Sequence, residues 1–344
     1  MQPWGKMLNH TFDFAHLVDR NGRAVPHQQH VEEAANELYF RLFDDVYQKL
    51  RESLDRQVIH QALDELCLAL RERKLNSTPA QWEAFVGVAR SHPLTQLLHQ
   101  DPFTYRAFSK PRGYAGDAEM MDYIYGREEQ WAPPQAEEIG QHVFDYTTLA
   151  PSSDGVRARR AFVASRIDRL AEERNRPHIL SIAAGHLREA SLSAAVKRRR
   201  TGRFVALDAD AQTAAEVRQC YACYGVETVT ASFRRLLIKK GGAGEFDLVY
   251  STGLFDYLNP RIGRRLITSM FQMLRPGGSL IVANFLPGIR DIGYMETFMD
   301  WNLVYRGRSE MVELTAGIPE SDVKEVCLLS EEGKNIIFLQ VTKN

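Results

Sequence analysis

The chain has few cysteines, no surplus of either charge and no long apolar run, and each shortage removes a class of protein. Four cysteines in 344 residues cannot staple a disulfide scaffold. Cys220 and Cys223 form a CxxC, but no second pair or nearby histidine cluster completes a zinc site, so both read as packed thiols on a helix. Lys and Arg total 43 against 44 for Asp and Glu, a formal charge of -1. A broad nucleic-acid surface would need a basic excess. The run Lys197–Arg200 (KRRR) therefore reads as a solvated helix C-terminus, where cations complement the macrodipole. No stretch approaches the roughly 18–20 apolar residues that span a bilayer. The opening MQPWGKMLNHTFDF lacks the apolar core of a secretory leader. No G-x-G-x-x-G follows a strand, which disfavours dehydrogenase chemistry on NAD. The expectation is a cytoplasmic protein with no metal, nucleic-acid partner or membrane span.

What is present divides in two. Residues 1–30 are polar and aperiodic, a loose lead-in. From Val31 to about Gln57, Leu38, Phe40, Leu42, Phe43, Val46, Leu50 and Leu54 recur mostly at helical steps. A second helix is expected over Val58–Arg73, and Ser77-Thr78-Pro79 starts a third that runs to about Ser91. His92-Pro93 begins another short helix. A loop then carries Lys110, Arg112, Gly113, Tyr114, Gly116 and Asp117, and a further loop is expected around Tyr146–Gly155. Loops dense in glycine and unusual polar residues are where function concentrates. A helix over Val156–Glu173 leads out of this region, which makes 1–150 an all-helical N-terminal domain serving as a lid or a dimer interface.

After residue 175 strands and helices alternate. Strands are expected at His178–Ile182, Arg203–Leu207, Glu227–Thr230, Phe246–Tyr250 and Ser279–Asn284, the last after the turn Arg275–Gly278. Helices fill the gaps: one to about Arg200, one over Ala211–Tyr224, one over Arg261–Leu274. Repeated βαβ units predict a doubly wound, mostly parallel sheet, and Val323–Leu329 with Ile336–Val341 an antiparallel hairpin at its edge. Ligands of such sheets sit beyond the carboxyl ends of the strands. The first end offers Ala183-Ala184-Gly185. The second offers Asp208 and Ala209, the carboxylate able to accept two hydrogen bonds from a ribose diol. The third offers Ser232 and Phe233, suited to an adenine edge and face. The fourth offers Ser251, then Asp256 and Tyr257.

The ordered set, above all FDLVYSTGLFDYL followed by MLRPGGSLIVANF, resembles the class I S-adenosylmethionine-dependent methyltransferases over about Arg157–Asn344. The resemblance implies a Rossmann-like α/β sheet of seven strands and S-adenosylmethionine as cofactor. It puts Gly185 under the methionine and ribose, Asp208 on the ribose hydroxyls, Ser232 and Phe233 near the adenine, and Ser251 below the methionine. Of the family's three alternating glycines in the first loop only the middle one stands here; Ala183 and Leu187 replace the others. Ser181 and Ser232 stand where acidic residues are frequent. Arg112 and Tyr146 of the helical region are expected to supplement this thinner cradle. A narrower likeness, carried by KPRGYAGDAEMMDYIYG, ILSIAAGHLREA, YSTGLFDYL and YMETFMDWNLVYRGRSEM, is to bacterial methyltransferases of extracellular factor 3-hydroxypalmitic acid methyl ester biosynthesis.

Methyl transfer is an in-line displacement that needs alignment and exclusion of water. A carboxylate acceptor needs no base, whereas a hydroxyl or ammonium acceptor does. His186 in the first loop reads as structural or cofactor-adjacent. Expected acceptor-side residues are Tyr114, Asp256, Tyr257, Tyr294, Trp301 and Arg306, with Arg112 or Arg306 available to grip a carboxylate. Trp301 and Tyr305 equally fit core packing at helical spacing. A small-molecule methyltransferase with a carboxylic or hydroxy-acid acceptor is the leading expectation. A non-catalytic cofactor-binding module is the alternative.

Overall fold

The computed structural model describes residues 26–53, 55–129, 134–238 and 245–344. Of the lead-in expected over residues 1–30, residues 1–25 lie outside them, as does Leu54, and residues 26–30 instead open the helix Pro26–Glu52. The N-terminal region is helical as expected, and its helices begin where side chains can take up free backbone N–H groups. Asp55 accepts from the Gln57 amide to open Arg56–Leu75, and Thr78 with Gln81 forms a capping box on Pro79–Ala89. Asp101 accepts from Phe103 and Thr104 to open Pro102–Ser109. One face of Arg56–Leu75 is wholly interior: Ile59, Leu63, Leu66, Cys67 and Leu70 are buried. Among the described residues no helix is long and apolar enough to cross a membrane.

The sheet has seven strands: β1 (Ile179–Ile182), β2 (Phe204–Asp208), β3 (Val226–Thr230), β4 (Phe246–Ser251), β5 (Leu274–Phe285), β6 (Val323–Ser330) and β7 (Ile336–Lys343). Their order is β3-β2-β1-β4-β5-β7-β6. The first five run parallel, and β7 is antiparallel to both β5 and β6. All four residues of β1 are buried, as a strand covered on both faces must be. Because β1 pairs with β2 on one side and β4 on the other, the chain direction of winding reverses there. The crevice of an open α/β sheet opens at that reversal.

Four local expectations need correction. The helix after β1 breaks at Ser193, whose hydroxyl donates to Asp168 at 2.5 Å while Asp168 also accepts from the Ala194 and Ala195 amides. Two short helices, Glu189–Leu192 and Ala194–Lys197, replace the single one. The Tyr146–Gly155 stretch is two helix ends rather than a loop: Glu138–Thr147 stops, and Pro151–Glu173 starts with Ser152 held by Asp291. The 275–278 turn belongs to β5, since Phe246 already pairs with Leu274 before a register shift. Trp301 and Tyr305 lie beyond the helix Ile292–Phe298, in irregular chain.

Residue 150 divides the sequence but not the packing. All seven residues of Ile292–Phe298 are buried, and a Cβ on Gly293 would lie 2.5 Å from the Leu70 carbonyl carbon. Glu296 takes an ion pair from Lys74 at 2.6 Å and a hydrogen bond from the Trp82 indole at 2.8 Å. Arg90 donates to the Glu296 and Thr297 carbonyls. The segment after β5 is thus keyed into the N-terminal helices and anchors them over the strand ends.

Candidate active site

The loop leaving β1 carries the site's most unusual backbone. Ala183, Gly185 and Leu187 have φ of +52°, +54° and +53°. This is the left-handed region that glycine enters freely and other residues enter at a cost of roughly 1–2 kcal/mol. The alternation of a three-glycine loop is kept, although two of its glycines are gone. Leu187 is buried, so its side chain is fixed in the core while its backbone keeps the turn.

Asp208 closes the loop from the next strand. Its Oδ2 accepts from the Gly185 amide at 2.9 Å and its Oδ1 from the Asp210 amide at 3.0 Å. Asp210 then caps the helix Ala211–Tyr221 and receives Arg112 Nη1 at 2.7 Å; Arg112 also donates to Thr213 at 2.9 Å. Helix capping and this charge-assisted bond hold the Asp210 carboxyl below its usual range against the opposing effect of burial. Arg112 therefore braces the site from outside and does not line it.

A cavity of about 540 Å³ opens above these ends. Of the residues expected on the cofactor side, Ala183, Gly185, Asp208, Ala209, Ser232 and Phe233 line it. Tyr114, Asp256, Tyr257 and Trp301 line its other end. Tyr257 donates to the Ala115 carbonyl at 2.9 Å and accepts from the Trp301 indole at 2.8 Å, a wall joining three segments. Gly116 is required beneath that wall: a Cβ there would stand 2.5 Å from the Tyr257 hydroxyl. Tyr114 packs edge-on to Tyr257 at 6.4 Å. Partial burial and the nearby Asp208, Asp117 and Asp210 push its phenol up to about 12. A second hollow of about 500 Å³ beside Arg264, Thr268 and Gln272 carries no strand-end residue.

Four other expected residues lie off the cavity. Ser251 is fully buried and donates to the Ile182 carbonyl at 2.8 Å, tying β4 to β1. Tyr294 lies within the N-terminal helices, its hydroxyl 3.0 Å from that of Thr104. Tyr146 donates to Asp64 at 2.8 Å, beside Cys67, whose thiol burial pushes up to about 12. Arg306 is 2 % exposed and spends its guanidinium on the Phe255 carbonyl (2.6 Å), Asn284 Oδ1 (2.5 Å) and the Leu258 carbonyl. It cannot also grip an acceptor.

The sequence reading missed Arg159, Asp122 and Phe285, all of which line the cavity. Arg159 comes from the helix Pro151–Glu173, its side chain 8 % exposed, with Nη1 3.5 Å from Asp256 Oδ2. Its guanidinium lies 6.0 Å from the centre of the Phe285 ring. No local pattern marks it, since Arg157, Arg159 and Arg160 are equivalent on paper.

Residues 179–278 match the family described as a methyltransferase domain. That stretch runs from β1 to the first residues of β5. No curated protein sequence matches the chain. Among solved structures, a possible exported protein from Bordetella parapertussis is 15% identical with a TM-score of 0.53, covering 93% of this chain and 99% of that one. The N-methyltransferase NodS from Bradyrhizobium japonicum, in complex with S-adenosyl-L-homocysteine, is 15% identical with a TM-score of 0.39, over 64% of this chain and 98% of that one.

The loop geometry fits S-adenosylmethionine, the cofactor that the sequence resemblance implies. The positive-φ turn leaves the Gly185 backbone open toward the cavity, with the Ala118 methyl 3.7 Å from where a Cβ would point. Each Asp208 oxygen spends one lone pair on the protein and keeps a second, as acceptance from a ribose diol would require. Phe233 lies at the third strand end, where a planar base needs a face.

Asp256 gives the protein a testable pH signature. It is 2 % exposed, its Oδ1 accepts from the Phe285 amide at 2.9 Å, and burial raises its carboxyl to about 6 despite Arg159. The protonated form is favoured in the folded state, so its stabilisation is full below the ordinary value of 3.8 and is lost as pH rises through about 6. Asp256→Asn cannot ionise. Its stability relative to the natural protein should rise by roughly 2–3 kcal/mol between about pH 4 and pH 7 and then level off. Urea unfolding at four pH values measures the difference, and a flat difference would contradict the assignment.

Proposed function

We propose that the protein transfers a methyl group to the carboxylate oxygen of a small organic acid, with the N-terminal helices serving as the lid. The observation that carries this reading is Arg159. Its guanidinium is buried at the acceptor end, and among the described residues its one ion pair is the 3.5 Å contact to Asp256. A guanidinium has five donors, and a buried cation so thinly paired is costly until an anion completes it. A second carboxylate would sit against it with two parallel hydrogen bonds.

The remaining groups at that end support an acceptor that is already nucleophilic. The Tyr257 hydroxyl is engaged by Ala115 and Trp301, and Tyr114 keeps its proton at neutral pH. Phe285, Trp301 and Tyr257 exclude water around the acceptor. When bound, the cofactor supplies an electrophilic methyl carbon on a sulfonium, the acceptor oxygen forming the new C–O bond as the C–S electron pair returns to sulfur. Arg159 holds the acceptor's second oxygen and so aims the first.

A second reading is favoured by the raised pKa of Asp256, which would suit a base acting on a hydroxyl acceptor. Isotope-labelled S-adenosylmethionine and a panel of medium- and long-chain 3-hydroxy acids separate the two. These acids are the class named by the likeness to the hydroxypalmitate methyl ester family. A methyl ester releases its label as methanol in mild alkali, and an ether does not. We expect alkali-labile label; alkali-stable label would transfer the role to Asp256, and no transfer to any acid would reject the carboxylate reading.

A further inference from the structure

The loop after β1 holds two residues in a conformation their side chains oppose, and something outside the loop must hold it there. The helix Ala118–Glu129 lies across it. Ala118 and Asp122 are one helical turn apart and share a face. The Ala118 methyl stands 3.7 Å from where a Cβ on Gly185 would lie. Asp122 receives three hydrogen bonds from the two residues that flank Leu187. His186 Nδ1 lies 2.7 Å from Oδ2, Arg188 Nε 2.8 Å from Oδ1, and Arg188 Nη2 2.7 Å from Oδ2. Asp122 is 9 %, His186 8 % and Arg188 7 % exposed, so the cluster is shielded from solvent. Glu216, from the helix Ala211–Tyr221, takes Arg188 Nη2 at 3.0 Å and fixes the guanidinium from the other side.

We infer that Asp122 is the positioning residue of the cofactor loop, a clamp from the N-terminal helices that does what the two missing glycines do in a three-glycine loop. The chain's own geometry gives the reason. A glycine loop adopts alternating positive φ with little cost, whereas Ala183 and Leu187 adopt it under strain. Tying His186 and Arg188 to one buried carboxylate fixes the backbone on both sides of Leu187, and the Gly185 amide then stays on Asp208. Burial opposes the charge on Asp122, yet Arg188 and His186 hold its carboxyl below its usual range, so the clamp is charged at neutral pH. The consequence is that the N-terminal helices are part of the cofactor site.

The test uses the full chain and binding of S-adenosylhomocysteine by calorimetry, with no turnover required. Asp122→Asn keeps the shape and removes the charge; we expect its dissociation constant to rise about 10- to 100-fold, the range for hydrogen bonds to a charged group. In the Asp122→Asn background, adding Ala183→Gly should recover at least about threefold of the loss, because the loop no longer needs to be held against its own side chain. That rescue is what a residue acting only on global stability would not produce, and thermal unfolding of each variant is recorded alongside. Unchanged affinity in folded Asp122→Asn, or a loss that Ala183→Gly leaves untouched, overturns the inference. If the natural protein itself does not bind S-adenosylhomocysteine, the cofactor assignment has failed and the clamp falls with it; a binding natural protein with an unaffected variant rejects the clamp alone.

Discussion

Replacing Asp208 with alanine should weaken binding of S-adenosylhomocysteine by about 10- to 100-fold, at 1.5–3 kcal/mol for hydrogen bonds to a charged group. The carboxylate stands at the last residue of β2, paired with Thr230 of β3, and projects into the cavity beside the β1 loop. One lone pair on each oxygen is already used, by the Gly185 and Asp210 amides. The other on each oxygen is left for a diol, and bidentate acceptance by one rigid carboxylate would give the site a preference for ribose. Asp208→Asn retains one acceptor oxygen, so its loss should fall between the two proteins, near tenfold. Calorimetry with S-adenosylhomocysteine and with its 2′-deoxy analogue checks the assignment. The deoxy analogue should bind worse than the parent to the natural protein and equally to Asp208→Ala. Equal loss of both ligands in the variant, with the preference for ribose intact, would mean that Asp208 acts only by holding Gly185.

Much of this architecture is legible because its signals are local. Apolar runs of four to six residues bounded by turns mark β1, β2 and β4, and the order of their polar ends marks the crevice. The failures share a cause. The helix after β1 reads as continuous because Ser193 tolerates a helix; only Asp168, on a different helix, makes a cap of it. The start of Pro151–Glu173 was obscured in the same way, since Asp291 supplies the partner for Ser152 from 139 residues away. Tertiary partners decide such ends, and a window of sequence does not contain them.

The site divides along the same line. Asp208, Ser232, Phe233, Asp256 and Tyr257 are found because each lies at a strand end or in the short turn that leaves it, and strand ends converge by topology. Arg159 and Asp122 reach the cavity from helices, 97 residues before Asp256 and 64 before His186. Nothing in their neighbourhoods distinguishes them from ordinary surface charges. One signal did exist: a first loop short of two glycines implies an external restraint, and the glycine-rich segment around Gly116 leads directly into the helix that supplies it. Arg112 was the natural choice from that segment, but its reach ends at Asp210 and Thr213. The restraint comes from ten residues further on.

Arg306 shows how an arginine among aromatic residues can be mistaken for an anion receptor, and its replacement should cost stability rather than affinity. Its donors meet the Phe255 and Leu258 carbonyls and Asn284, which close the turn carrying Asp256 and Tyr257 against the end of β5. Asn284 in turn donates to the Val304 carbonyl at 2.7 Å, and the Arg306 amide donates to the Phe285 carbonyl at 3.1 Å. Burial lowers the pKa of the guanidinium, as expected for a cation held mainly by neutral carbonyls. Arg306→Met fills most of the volume but leaves three buried acceptors unmet, and breaking such a network costs about 3–5 kcal/mol. For a chain of this size that corresponds to a fall in Tm of roughly 4–7 °C. Arg306→Lys should recover little, because one ammonium cannot span the positions the planar fork reaches. Thermal unfolding followed by circular dichroism measures the shift. An Arg306→Met protein with unchanged Tm and a sharply raised acceptor KM would return the residue to the acceptor site; a large fall in Tm with unchanged S-adenosylhomocysteine affinity below the transition fixes it as the strut on which Asp256 and Tyr257 are mounted.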